Sequence, residues 1–250
     1  MISKRSLGAI LFFIFTASAL PGAIRAETGK RTVVDLYHLL PGSIIGSRYR
    51  LALREGAWFA EDEDGCSRSA IVDIPNGYIK ISDEGTGGGY LSNQEIALFV
   101  DARGERMVAV NISGCETDIE PHLCSYRGLE LFRLVNNRWE RITARVLPEI
   151  TLKRFFDKGY DPENVNELKG LIREIKGKNG LLRYVLPRYG TDLRVAINLS
   201  PFRHHLKHAT GAIHESLKGM ITKIAREEII LRWNRERGAF ISPSFTAGWY

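Results

Sequence analysis

Arg48-Tyr49-Arg50-Leu51-Ala52-Leu53-Arg54 puts Tyr49, Leu51 and Leu53 on one side of an extended chain and three arginines on the other. That is the period of a half-buried strand, not of a helix. Glu55-Gly56 then turns the chain and Trp58-Phe59 begins the return, so the stretch reads as a hairpin. The same grammar recurs. Ile96 to Val100 and Met107 to Ile112 flank the turn Asp101-Ala102-Arg103-Gly104, and Leu129 to Val135 and Trp139 to Ile142 flank Asn136-Asn137. Paired asparagines suit the positive φ angles of a two-residue turn. Further on, Leu193 to Ile197 and Ile229 to Trp233 read as strands, the second returning at Ala239-Phe240-Ile241.

Helical signals lie at both ends of the first hairpin series. Thr32 and Asp35 resemble a capping box, opening a short helix with Val33, Leu36, Tyr37 and Leu40 on one face and Pro41 at its end. Thr151 to Lys158 predicts a short helix stopped by Gly159. Asp161 as N-cap with Pro162 and Glu163 predicts another reaching Lys178, with Leu168, Leu171, Ile172 and Ile175 as its apolar stripe. Ser200-Pro201 opens a helix that Gly211 and Gly219 divide. The fold class is therefore α+β: an antiparallel, hairpin-rich core with a helical insertion. An apolar-Leu-Pro pattern at Leu40, Leu147 and Leu186 and three similar hairpins raise the expectation of two related β-rich lobes, which chance recurrence explains as well.

Residues 1–26 read as a secretory signal peptide: Lys4 and Arg5 precede an apolar run from Leu7 to Phe15, and Pro21-Gly22 leads to cleavage after Ala26, with Ala19 as the second candidate. An uncleaved anchor is the bland alternative, but the apolar run is short for a span and no later stretch approaches that length. The expectation is an exported chain, periplasmic or secreted, with a β-rich lobe at 27–150 and a basic α+β lobe at 151–250 that packs with it or stands apart.

Of 250 residues, 44% are apolar and 26% charged, which excludes polytopic membrane, collagen-like and disordered chains. The net charge of +6 is unevenly placed: residues 27–150 hold 14 Lys/Arg against 19 Asp/Glu, and residues 151–250 hold 18 against 10. Such polarity can steer an anionic partner to the C-terminal half, although it also serves plain solubility. With three cysteines in an oxidising compartment, one disulfide and one free thiol is the simplest count. Cys115–Cys124 closes an easy local loop; pairing of Cys66 with either stays open. Acidic neighbours of Cys66 would raise its pKa, against a nucleophilic role.

The metal candidates are His204 and His208, four apart on one helical face, with His214 or Glu215 arriving from the next segment. Arg203 and Lys207 add repelling charge, so a solvated basic loop is the favoured reading and no cofactor is assigned. Asp83 to Tyr90 is glycine-rich but lacks the following helix and the Lys-Ser/Thr of a phosphate loop. The run Glu61 to Asp64 fails the EF-hand spacing. There is no G-x-S-x-G or H-E-x-x-H motif. Arg48, Arg50 and Arg54, and Arg232, Arg235 and Arg237 beside Trp233, would suit a polyanion. Export makes genomic nucleic acid the wrong one and an anionic envelope polymer or protein the sensible one. Four tryptophans could stack on sugars, but hairpin tryptophans usually fill cores.

Two functions follow as expectations. The first is an exported binding module without catalysis, engaging its partner through the basic C-terminal half. The alternative is a metal-assisted hydrolase using the His204–His214 region. A structural envelope or fibre component, docking through Trp249-Tyr250, has thinner support.

Overall fold

The structure is a computed structural model, and the residues it describes are 31–45, 49–83, 90–118, 120 and 122–242. The expected signal peptide at residues 1–26, the glycine-rich residues 84–89, Arg48 and Trp249-Tyr250 lie outside the described residues.

Eight strands form one antiparallel meander in chain order: β1 (Arg50–Arg54), β2 (Ala57–Glu61), β3 (Ser67–Asp73), β4 (Tyr78–Asp83), β5 (Tyr90–Val100), β6 (Arg106–Glu116), β7 (Leu123–Val135) and β8 (Arg138–Arg141). The first hairpin closes as its sequence requires. Leu53 faces Trp58 and Arg54 faces Ala57, across Glu55 and Gly56 at φ 50° and 83°. Asn136 and Asn137, at φ 49° and 61°, close β7 onto β8 in the same left-handed way.

Both faces of its central strands, β4 to β7, are covered, so these strands sort their apolar residues by parity. Ile79, Ile81, Ile96, Val108 and Val110 face an N-terminal core completed by α1 (Val33–Leu39) and α2 (Gly42–Ile45), which bring Val33, Leu36, Tyr37 and Ile45. The capping box is present: Thr32 Oγ1 accepts from the Asp35 N–H, and the Asp35 carboxylate accepts from the Thr32 N–H at 2.7 Å. The Thr32 N–H, and then the Thr32 hydroxyl, donate to the Asp35 carboxylate and hold it below the usual carboxylate range. Tyr78, Ala97, Phe99, Met107, Ala109, Leu129 and Leu131 face the other way, into the C-terminal lobe.

That lobe is a second antiparallel sheet backed by helices. Its order is β12 (Ala239–Ile241), β11 (Glu228–Asn234), β10 (Leu193–Ile197) and β9 (Leu182–Val185). Leu193, Val195, Ile229, Leu231 and Trp233 point into the shared core with Leu168, Ile172 and Ile175 of α4 (Asn166–Lys178). Phe202 of α5 (Leu199–His208) and Leu217 and Met220 of α6 (Gly211–Thr222) complete it, and α3 (Thr143–Val146) links the two sheets. The α+β architecture with two lobes is thus observed.

Two helix boundaries differ from expectation. Asp161 caps only a 3₁₀ turn, Pro162–Asn164, because Val165 is extended (φ −81°, ψ 116°) and interrupts the helix before α4 begins. Residues expected to be helical after Thr151 form a single 3₁₀ turn, Leu152–Phe155, buried by Leu152 and Phe155.

Candidate functional site

Strand parity in the small sheet generates its outer face. Leu193, Val195, Ile229 and Leu231 point inward, so Arg183, Arg194, Ile230 and Arg232 must point out, and all four are exposed. Arg194 lies between Val185 and Ile230, and Ala196 between Arg183 and Glu228. The face carries three arginines around Ile230, which is 45% exposed.

At the Ala196 end the face runs into a cavity of about 580 Å³, walled by β7, β9, β10 and the start of α5. Arg183, Arg203 and Arg226 line it, as do Glu120, Glu227 and Glu228. Two of the acids are spoken for: Glu228 stands 3.8 Å from Arg194, and Glu120 Oε1 is 2.8 Å from His122 Nε2. Among the described residues Arg183, Arg203 and Arg232 form no ion pair. The combined surface presents five arginines to three carboxylates, with the exposed Ile230 paired beside Arg194.

The cavity rests on a polar junction. Cys115 and Cys124 sit opposite each other on β6 and β7 and form the expected disulfide, leaving Cys66 free and exposed. The Cys124 carbonyl accepts from Asn198 Nδ2 at 3.0 Å, and Ser200 Oγ both accepts from the Cys124 N–H and donates to the His122 carbonyl. Lys207 Nζ donates to the Glu120 carbonyl at 2.5 Å. The disulfide hairpin is therefore pinned to α5 and cannot move without disturbing the cavity wall.

No family model matches the chain, and no curated protein matches it. Among solved structures it is similar to a domain of an uncharacterized protein from Porphyromonas gingivalis W83. The TM-score is 0.50 at 11% identity, over 85% of this chain and 98% of that one. At that identity the likeness shows the fold alone.

The other sequence candidates are distributed as follows. His204 and His208 meet on α5 with ring centroids 5.1 Å apart, whereas His214 lies on α6 beside Glu215 at 3.2 Å. Among the described residues no group of three or more His, Cys, Asp or Glu is arranged around a metal position. Arg50 and Arg54 both pair with Glu61, whose side chain is 8% exposed, so one carboxylate offsets part of the charge of this arginine face. Asp62 accepts from Arg68 and from the Cys66 N–H; the Arg68 bond above all holds its carboxyl low, and the acidic run is turned to shaping its own loop. Trp233 is buried with its indole N–H donating to the Val100 carbonyl at 3.1 Å. Trp139 donates to the Leu39 carbonyl at 2.9 Å. These two rings serve packing rather than an open stacking platform.

One buried constellation escaped the sequence reading. Tyr78 donates to Glu95 at 2.8 Å, and Asn111 Nδ2 reaches both Glu95 at 3.0 Å and the Tyr184 carbonyl of β9 at 2.9 Å. Burial, then the Glu95 charge, pushes the Tyr78 phenol far above its ordinary range, so it stays a donor. Parity with Ala97 and Phe99 would have placed Glu95 inward. The partner strand β9 was the missing piece. This network clamps the two sheets together.

Proposed function

We propose that the chain is an exported, non-catalytic binding module that takes an anionic envelope polymer on the outer face of its C-terminal sheet. The observation that carries this reading is the row of Arg183, Arg194 and Arg232 around exposed Ile230, continuous with the arginine-lined cavity. Arginine suits the task because its planar guanidinium forks onto carboxylate or phosphate and is weakly hydrated. The exposed isoleucine would add apolar contact to a ligand held by those arginines. The disulfide fits an oxidising compartment. Among the described residues no helix is long and apolar enough to cross a membrane.

The test is retention of the protein on immobilised polyglutamate and on immobilised polyphosphate as salt is raised. Retention should fall steadily with salt, because counterions compete for the same arginines. The triple variant Arg183→Ala, Arg194→Ala, Arg232→Ala should elute earliest. Equal retention of wild type and triple variant on both matrices would sink the proposal.

A second reading, a metal-assisted hydrolase at His204–His214, is favoured by the His204–His208 ring contact alone. It requires zinc-stimulated hydrolysis of a chromogenic ester or phosphodiester that disappears when both histidines are replaced.

A further inference from the structure

We propose that the C-terminal part of α5 is a transition-metal clip, in which His204 and His208 each give one ring nitrogen to a single zinc, nickel or copper ion. Three observations converge on this pair. The first is spacing. A metal about 2.1 Å from one nitrogen of each ring, at a near-tetrahedral angle, holds the ring centroids about 5 Å apart, and the observed separation is 5.1 Å. The separation of the two rings is therefore the one a shared ion requires.

The second is an unsatisfied atom. His204 Nδ1 is shielded from solvent and has no hydrogen-bond partner among the described residues. A buried imidazole nitrogen without a partner is costly, and a metal ion bound at Nδ1 would satisfy it. The third is electrostatic. The last carbonyls of α5 carry the negative end of the helix dipole, which favours a cation beside His208, the final residue of the helix. The Lys207 ammonium keeps its charge, and its bond to the Glu120 carbonyl fixes where that charge stands.

Two protein ligands leave two tetrahedral positions for water or for a donor on a bound molecule, so the clip is an open site and not a closed structural one. His214 lies on α6 beside Glu215, and the His205 ring stands farther from that of His204, at 6.0 Å, so the clip is assigned to His204 and His208 alone. The inference is independent of the polyanion reading, which uses the first turn of α5 and the sheet.

The experiment is a zinc titration of the full chain without a polyhistidine tag, followed by competition with a chromogenic chelator and by histidine ring NMR. One zinc per chain is expected, with the ring signals of His204 and His208 moving together. His208→Ala should weaken zinc binding at least about tenfold, the loss seen even for outer-shell partners of a metal ligand. His208 is exposed, so this variant leaves packing intact, and an unchanged thermal midpoint verifies it. His204→Gln should act in the same direction while filling the same space. His205→Ala and His214→Ala should bind zinc as wild type does. Wild-type affinity in His208→Ala, or an equal loss in His214→Ala, overturns the clip.

Discussion

The backbone N–H of Cys124 donates to Ser200 Oγ at 2.7 Å, joining two lobes across 76 residues of sequence. The reason lies in the length of β7. Only Phe132–Val135 of that strand pair with β8, so the outer edge of its first half needs partners from elsewhere. Ser200, Asn198 and Asn179 supply them, the last accepting from the Tyr126 N–H at 2.7 Å. An otherwise open sheet edge is thus closed by the C-terminal lobe. The disulfide holds that edge in register. Replacing Cys115 and Cys124 by Ser should cost about 2–3 kcal/mol in a urea titration, the loop-closure entropy of so short a loop. It should also weaken polyanion retention, since the hairpin walls the cavity. Full stability with undiminished retention would show that the edge partners suffice alone.

Asn198 is the most committed of those partners. It is 3% exposed, and its amide reaches the carbonyls of Cys124, Asn179 and Gly180 at 3.0, 3.3 and 3.1 Å. Asn198→Ala removes the side-chain donor from the Cys124 and Gly180 carbonyls, while the Asn179 carbonyl keeps the Tyr126 N–H, and should cost about 1–3 kcal/mol. Asn198→Asp should be worse than Ala, because a carboxylate would face carbonyl oxygens with no proton to offer. The two urea midpoints decide this, and the reverse order would disprove the bonding pattern.

Asp101 ties the β5–β6 turn to the second sheet. It is 2% exposed and accepts from the backbone N–H groups of Arg103 and Glu105, while the Ala102 N–H donates to the Arg235 carbonyl. Burial opposes its charge, but the Arg103 guanidinium and the two N–H groups prevail and hold its carboxyl below the ordinary value. The unfolded chain therefore takes up this proton first on acidification. The stabilisation from Asp101 is complete above the ordinary aspartate range, near pH 4, and is lost as pH falls through the lowered folded value. Asp101→Asn should lower the thermal midpoint at pH 7, and the difference from wild type should shrink toward pH 2. A pH-independent difference would assign the role to shape and not to charge.

Gly180 shows why part of this junction was invisible beforehand. Its φ is +72°, and a Cβ there would stand 2.5 Å from the Tyr126 carbonyl oxygen. Gly180→Ala should therefore destabilise by more than the roughly 1 kcal/mol that a strained φ alone exacts, read as a shift in thermal midpoint. In the sequence this is one glycine after a helix. Local chemistry was readable wherever it was self-contained: the Glu55-Gly56 and Asn136-Asn137 turns, the Thr32 capping box and the strand at Leu193 to Ile197 all follow from neighbouring residues. The strand β3 was hidden because Ile71 is apolar yet exposed, so Ala70-Ile71-Val72 shows no alternation. The strand β9 is four residues long and depends on β10 for its existence. For the site, Arg194 and Arg232 could be assigned to an outer face from parity. Their meeting with Arg183 and Arg203 depends on pairings across tens of residues that no local pattern encodes.

The outer arginine face separates recognition from net charge. Arg194 is exposed, and its only described ion pair, with Glu228, is long at 3.8 Å between half-exposed groups. Arg194→Glu should change stability by no more than about 0.5 kcal/mol. Lys176→Glu at an exposed position of α4 alters the net charge identically, away from the sheet. If the sheet is the contact surface, Arg194→Glu should reduce both polyanion retention and its dependence on salt, while Lys176→Glu leaves the salt dependence near wild type. If retention follows only the total charge, the two variants should elute together, and the row around Ile230 would be ordinary solvated surface.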